Sequence, residues 1–377
     1  MILDLTPEQE LFRATARRFL EHESGSASLR TLNAADSAFD RSWWRRTAEL
    51  GWSTLLLPEA LGGGSISDSP LTDLSIFAEE IGAFAAPGPL AITSVVMLAL
   101  REQHSKPIVA SALADISSGA AIPAWAVYEP GKGWQPTACS TSAVAQDDGF
   151  RISGVKDRVE AGDMSDLFLV TATLDGQVAQ FLVPARAPGV KVARMWSLDF
   201  TRHFAQVTFD NVELSADALV SCGEESIERQ SQLLYALQCA ETAGATQRVF
   251  DMTLDWAFDR IAFGRSLASY QAVKHRFADM KSWLEAMHAT TSDAVAAVQH
   301  ASPQACVLTR VANLFVSTRA LAIMQECVQL HGGIGVTWEH DLHIYLRRAT
   351  VNSVMYGTPI EHRASLRTAV GQQGRLQ

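Results

Sequence analysis

A chain of 377 residues is too long for one ordinary hydrophobic core and implies two or three domains. Hydrophobic residues at 47% and charged residues at 19% exclude a disordered chain. The 31 basic and 41 acidic residues give a net charge of −10 with no dense Lys/Arg run, which argues against nucleic acid, and any anionic ligand must be met by locally placed cations.

Thr6-Pro7-Glu8 predicts a helix start, with Leu5, Phe12, Ala16 and Phe19 recurring at roughly helical spacing. This amphipathic N-terminal stretch has no secretory apolar core, and Ala91 to Leu100 is too short to span a bilayer. The expectation is therefore a cytoplasmic protein without a membrane partner. Pro58 and Gly62-Gly63-Gly64 break the helical pattern, a second helix covers Leu71 to Gly82, and Pro87-Gly88-Pro89 turns the chain. Trp43, Trp44 and Trp52 read as core packing.

Residues 1–120 thus read as a helical domain. Between 121 and 222 the texture changes to short β-branched or aromatic runs, Phe150 to Gly154, Leu167 to Val170, Val178 to Val183 and Gln206 to Phe209. Turn signals at Asp147-Asp148-Gly149, Asp175-Gly176 and Pro188-Gly189 separate them, which predicts an antiparallel β domain. Over 223–377 long helices return. Leu233, Leu237, Ala240 and Gly244 form one stripe that Val249, Met252 and Trp256 continue, and Val307 to Leu330 is a further amphipathic stretch. The five cysteines are scattered, odd in number and without CxxC spacing, which argues against a disulfide framework or zinc site and for a reducing compartment.

The pattern alone gives a three-part α+β protein and no chemistry; motifs take it further. Arg260-Ile261-Ala262-Phe263-Gly264 precedes Tyr270-Gln271-Ala272-Val273-Lys274-His275 and Ala278-Asp279-Met280. Gln329-Leu330-His331-Gly332-Gly333-Ile334-Gly335 follows, and Pro58-Glu59-Ala60-Leu61-Gly62-Gly63, Glu129-Pro130-Gly131 and Asp199-Phe200-Thr201-Arg202 stand earlier. In order and spacing, across nearly the whole chain, these resemble the R-x-x-F-G, F-Q-x-x-x-H, A-D-M, Q-x-x-G-G-x-G, P-E-E-x-G-G, E-P-x and D-x-T-R segments of the acyl-CoA dehydrogenase family. The resemblance implies an N-terminal α-helical domain, a middle antiparallel β domain and a C-terminal four-helix bundle. It implies FAD as hydride acceptor, an acyl-CoA substrate, a carboxylate base, and an FAD lying across a subunit interface. The flavin ring then rests on one subunit's β domain, and the neighbour's C-terminal domain holds the pyrophosphate end.

On that division Arg260, Phe263, Gln329, Gly332, Gly333 and Thr358 are the expected cofactor-binding residues. Arg260 supplies a permanent cation, Phe263 an apolar face, and the glycines close backbone approach. Taken singly, each has a plainer reading as an ion pair, a cap or a turn. The flavin-ring half departs from the family. Tyr128 and Trp134 replace its Thr and Ser, and Lys156-Asp157-Arg158-Val159-Glu160 stands for its K-x-W-I-T strand. The usual catalytic glutamate position is Tyr356, in Met355-Tyr356-Gly357-Thr358, and a phenol is a poor base at neutral pH. The alternative glutamate position of some relatives is Leu234, and the position of a CoA-binding arginine on the same helix is Tyr235. Glu241, flanked by small residues two turns after Leu234, is the remaining candidate base, or a structural carboxylate bonded to Gln238 or Arg248. His331, His340, Asp341 and His343 raise a metal reading, but no third ligand type or cysteine accompanies them, and no metal is expected.

Three functions follow. The first is a subunit that lends the pyrophosphate-side half of an FAD site to a second acyl-CoA dehydrogenase chain; its H-G-G-I-G-x-T-W-E-H-D-L-H segment resembles actinobacterial α2β2 enzymes acting on CoA esters of steroid side chains. The others are a self-sufficient homotetramer using Glu241 and a non-catalytic assembly protein of the same fold. The electron acceptor is not legible.

Overall fold

The computed structural model describes residues 5–37 and 39–373. Helices α1 (Pro7–Glu23), α2 (Ser26–Ala34), α3 (Arg41–Glu49), α4 (Pro70–Ala83), α5 (Leu90–Arg101) and α6 (Pro107–Ser117) come first. Strands β1 (Pro123–Ala126), β2 (Ser142–Gln146), β3 (Gly149–Glu160), β4 (Leu167–Leu174), β5 (Gln177–Pro184), β6 (Val190–Met195), β7 (Phe204–Ser215) and β8 (Leu219–Cys222) follow. The chain ends with α7 (Glu224–Asp259), a hairpin of β9 (Ile261–Ala262) and β10 (Arg265–Ser266), then α8 (Gln271–Gln299), α9 (Ala305–His331), α10 (Leu342–Asn352) and α11 (Pro359–Gln373).

These elements form two compact units. One takes Thr31–Pro70 and Pro87–Leu234; the other takes the residues up to Arg30, Leu71–Ala86 and those from Tyr235 on, so the divisions cut α2 and α7 and separate Pro70 from the rest of α4. The stretch expected as one helical domain is thereby shared between the two.

In the first unit the sheet runs β6-β7-β3-β2-β4-β5-β8, with β1 also paired to β4. Most pairs are antiparallel, as the alternating pattern predicts, but β1 and β2 each pair with β4 in parallel. Its inner face buries Ile152, Phe168, Phe181, Val207 and Phe209, each large side chain contributing about 1.5–3 kcal/mol on leaving water. Trp43, Trp44 and Trp52 are buried. Gly88 is needed beside two of them, since a Cβ there would lie 2.8 Å from the Trp43 ring.

In the second unit, α1 begins with a reciprocal cap. Gln9 N donates to Thr6 Oγ1 at 3.3 Å and Thr6 N donates to Gln9 Oε1 at 3.1 Å, satisfying two otherwise orphaned amides. Its Arg13 and Arg17 reach Glu79 at 3.3 Å and Glu80 at 3.0 Å on α4. α4 and α7 touch backbone to backbone: a Cβ on Gly82 would fall 1.8 Å from the Glu241 carbonyl oxygen, and one on Gly244 1.9 Å from that of Glu79. α9 is long and apolar enough, by length and composition, to cross a bilayer. Here it is a bundle helix that buries Thr309, Asn313 and Ser317, and Asn313 Nδ2 donates to Gln238 Oε1 on α7 at 3.1 Å.

Candidate cofactor site

The end of α7 leads directly into the β9–β10 hairpin, whose two-residue loop is Phe263-Gly264 with φ values of 50° and 81°. Two positive φ values are what a tight hairpin turn demands. Gly264 adopts them freely, whereas Phe263 does so at a cost of order 1 kcal/mol or more. Its ring is 100% exposed. Leu267 N donates to the Arg260 carbonyl at 2.8 Å and Tyr270 Oη to that of Ala262 at 2.7 Å, closing the hairpin's base.

Arg260 is exposed and has no ion pair among the described residues. Its guanidinium lies 5.8 Å from the Trp256 ring centroid. The Trp256 ring in turn stacks on His331, with centroids 5.4 Å apart and planes 15° apart. His331 ends α9 and opens the glycine turn, so this stack links the hairpin to Gly332-Gly333. The exposed Gln329 side chain has no hydrogen-bond partner among the described residues.

The three glycines of the turn differ in what requires them. Gly332 sits at φ 66°, ψ −141°, a conformation essentially closed to side chains. A Cβ on Gly335 would come within 2.9 Å of the His331 Cβ and the Val328 carbonyl oxygen. Gly333 has ordinary φ and open space where a Cβ would be, so neither backbone strain nor internal packing accounts for it. Ile261, Ile334, Val336 and Trp338 are exposed beside these residues in sequence, an unusual concentration of apolar surface.

The histidines nearby are internally engaged. Nδ1 of His331 donates to the Cys327 carbonyl at 2.9 Å, His340 Nδ1 accepts from Leu342 N at 3.2 Å, and His343 Nε2 donates to the Trp338 carbonyl at 3.1 Å. Burial lowers the pKa of all three, so the neutral imidazole is favoured.

Thr358 and Tyr356 stand in a different setting. Thr358 caps α11: its amide and hydroxyl donate to Glu361 Oε2 at 2.7 and 2.8 Å, and its hydroxyl accepts from Glu361 N at 3.3 Å. Its hydroxyl is used by the fold. Tyr356 is buried at φ 62°. Tyr235 packs edge-on to His362, 4.9 Å between centroids; burial and the neighbouring Arg310 push the His362 pKa down to about 4, against the opposing pull of Glu361 and the Gly357 backbone. No carboxylate replaces the expected base at 356, and Leu234 is buried and apolar.

Glu241 is held, but by neither of the groups expected from sequence. Its Oε1 lies 3.5 Å from Nη1 of the buried Arg348 and accepts from Asn352 Nδ2 at 3.4 Å. The carboxylate thus ties α7 to α10.

The β-domain positions are occupied by one another. A register shift in β3 after Lys156 places Arg158 at φ 47°, and a bulge of this kind re-aims a side chain. The Arg158 guanidinium lies 4.1 Å from the Tyr128 ring centroid and donates to the Lys132 carbonyl at 2.7 Å. Trp134 packs on Tyr128 at 4.9 Å and edge-on to Trp125 at 5.8 Å. Glu160 is in a bidentate pair with Arg202, Nε to Oε1 at 2.8 Å and Nη2 to Oε2. Glu129 is buried among the Lys132 ammonium at 2.7 Å, Lys156 at 3.1 Å and the amides of Ser140 and Thr141. Burial alone would raise its pKa; Lys132, those amides and Lys156 reverse this and hold it well below the usual carboxylate range. Lys156 is fully buried, which lowers its own pKa against the pull of Glu129.

The two halves therefore differ in fit. At the C-terminal end a guanidinium and an amide with no side-chain ion pair or hydrogen bond among the described residues, and a bare glycine backbone, suit an anionic diphosphate. At the β domain, the donors and faces that would meet a flavin ring are already taken by Arg158, Trp134 and Arg202, and these residues do not fit that ring.

Models of the acyl-CoA dehydrogenase N-terminal, middle and C-terminal domains match residues 6–119, 124–212 and 235–369. The chain is 32% identical to acyl-CoA dehydrogenase IpdE2 of Mycobacterium tuberculosis, over 95% of this chain and 96% of that one. A variant of the Tcur3481-Tcur3483 steroid acyl-CoA dehydrogenase superposes with a TM-score of 0.88 at 27% identity, covering 98% of this chain and 99% of that one. Butyryl-CoA dehydrogenase of Megasphaera elsdenii shares the fold at a TM-score of 0.89 and 21% identity, with 98% and 100% covered. The chain belongs to the acyl-CoA dehydrogenase family, FAD-dependent oxidoreductases acting on the CH–CH bond of acyl-CoA esters.

Proposed function

We propose that this chain is one subunit of a hetero-oligomeric acyl-CoA dehydrogenase, α2β2 in form, that lends the diphosphate-holding half of each FAD site to a second acyl-CoA dehydrogenase chain. Arg260 binds the diphosphate through its paired N–H donors, Gln329 and the Gly332-Gly333 backbone approach it, and Phe263 inserts against the partner. FAD, when bound, supplies the hydride acceptor. The partner chain supplies the flavin-ring seat and the carboxylate that takes the α-proton, since neither Tyr356 nor Leu234 can do so and Glu241 is committed to Arg348. The substrate class we assign is a CoA ester from steroid degradation; the likeness to a steroid acyl-CoA dehydrogenase named for two polypeptides supports both the substrate and the mixed assembly. Five cysteines with no disulfide among the described residues favour a cytoplasmic setting.

The observation that carries this reading is the asymmetry between the two ends. Arg260 and Gln329 are exposed and have no side-chain ion pair or hydrogen bond among the described residues, while the β-domain groups are consumed by one another. The test is co-expression with a second acyl-CoA dehydrogenase chain of the same organism, followed by a flavin count. Half a flavin per chain in a mixed tetramer is expected, with the isolated chain colourless. One flavin per chain in a homo-oligomer would overturn the proposal, as would a mixed complex that stays colourless.

A further inference from the structure

We propose that Trp256, backed by His331, is a positioning residue that aims Arg260 at the diphosphate without consuming its hydrogen-bond donors; this rests on the reading of Arg260 given above. A carboxylate partner would hold the guanidinium more tightly but would occupy the same N–H fork a diphosphate needs. An aromatic face attracts a cation through its quadrupole and leaves those N–H groups pointing outward. Arg260 has this arrangement: no ion pair among the described residues, and the Trp256 ring one helical turn earlier at 5.8 Å.

Trp256 is itself fixed by stacking. The indole Nε1 is buried with no hydrogen-bond partner among the described residues, so a polar contact of its own does not set the ring's orientation. His331 does, through near-parallel stacking at 5.4 Å. The Cys327 carbonyl can only accept, so Nδ1 of His331 carries the proton, and this fixes both tautomer and ring plane. His340 closes the far side edge-on at 4.6 Å. The adjacent Asp341 is anchored by Arg30 at 2.6 Å. The column runs from an exposed cation into the bundle.

The experiment measures FAD affinity of the mixed complex for Trp256→Leu, Trp256→Phe, Arg260→Ala and the Trp256→Leu/Arg260→Ala pair, with thermal unfolding of each. Trp256→Leu is expected to weaken FAD about tenfold, within the range of one desolvated cation–π contact, and Trp256→Phe to recover most of it. In the Arg260→Ala background Trp256→Leu should lose most of its effect, because the route through the guanidinium is gone and only the indirect path through His331 to the glycine turn remains. The same loss in both backgrounds means that Trp256 merely supports the fold, and overturns the proposal. If Arg260→Ala itself leaves affinity unchanged, the diphosphate reading fails and the column with it. Should Trp256→Leu not fold, His331→Asn removes the stacked ring from the other side and is read by the same cycle.

Discussion

Arg158 and Arg260 each lie over an aromatic ring, at 4.1 and 5.8 Å, yet Arg158 also donates to the Lys132 carbonyl while Arg260 keeps its donors. The sequence shows both arginines; it does not show which is spent, because Lys132 and Arg158 meet only through a bulge in β3. Among the glycines of the turn after α9, Gly333 is the one that the fold does not need. Gly333→Ala should leave the unfolding midpoint within error and lower FAD affinity of the mixed complex several-fold; an unchanged affinity would remove this backbone from the site. Glu241→Gln should cost about 1–3 kcal/mol by weakening its link to Arg348, with turnover per flavin in the mixed complex little altered. Collapse of turnover in a fully folded variant would restore Glu241 as the base. The Arg348 partner lies too far along the chain to be read from sequence, which offered Gln238 and Arg248 instead. His362 stays neutral in the folded chain down to about pH 4, while the unfolded chain takes up the proton near 6.5. Stability is therefore full above pH 6.5 and falls as pH drops toward 4, by about 2 kcal/mol from this group at pH 5. Denaturant titrations of the wild type and His362→Gln across pH 5–7 should show the slope flattening in the variant.

Among the elements, the α4–α7 crossing depends on Gly82 and Gly244, each facing the other helix's backbone within 2 Å of where a Cβ would stand. Gly244→Ala should force the helices apart and destabilise by about 3 kcal/mol or more, read as a lowered denaturation midpoint; a neutral result would mean that the crossing is loose. In the sequence Gly244 is one member of an apolar stripe, with nothing to show that it faces backbone. Local signals were clear where they were chemical: Thr6 and Gln9 form the cap that the helix start at Thr6-Pro7 predicts, and the β runs fall inside β3, β4, β5 and β7. α8 went unread because its buried face mixes Phe277, Met280, Leu284 and Met287 with His288 and Thr291, which interrupts the apolar period. The parallel pairings of β1 and β2 with β4 escaped for another reason: partners without a joining turn leave no local mark.

For the whole molecule, the strained and fully exposed Phe263 at the hairpin tip is the residue on which the proposed assembly turns. Phe263→Asp should abolish or strongly weaken assembly with the partner in size-exclusion chromatography, while the lone chain keeps its melting temperature. Intact assembly would place the interface elsewhere. The motifs in register announced the family, because they survive as short strings. The refilling of the β domain could not be read the same way, since Trp134, Tyr128 and Arg158 become one layer only after the sheet has formed.

That layer has a consequence for how the protein matures. A flavoprotein that folds around its prosthetic group has a cavity to close, and riboflavin shortage leaves it unfinished. On the proposed division of the cofactor, this polypeptide closes the corresponding surface with its own guanidinium and indole, and should fold without the cofactor. In cells starved of the vitamin its abundance should hold steady while that of its companion declines.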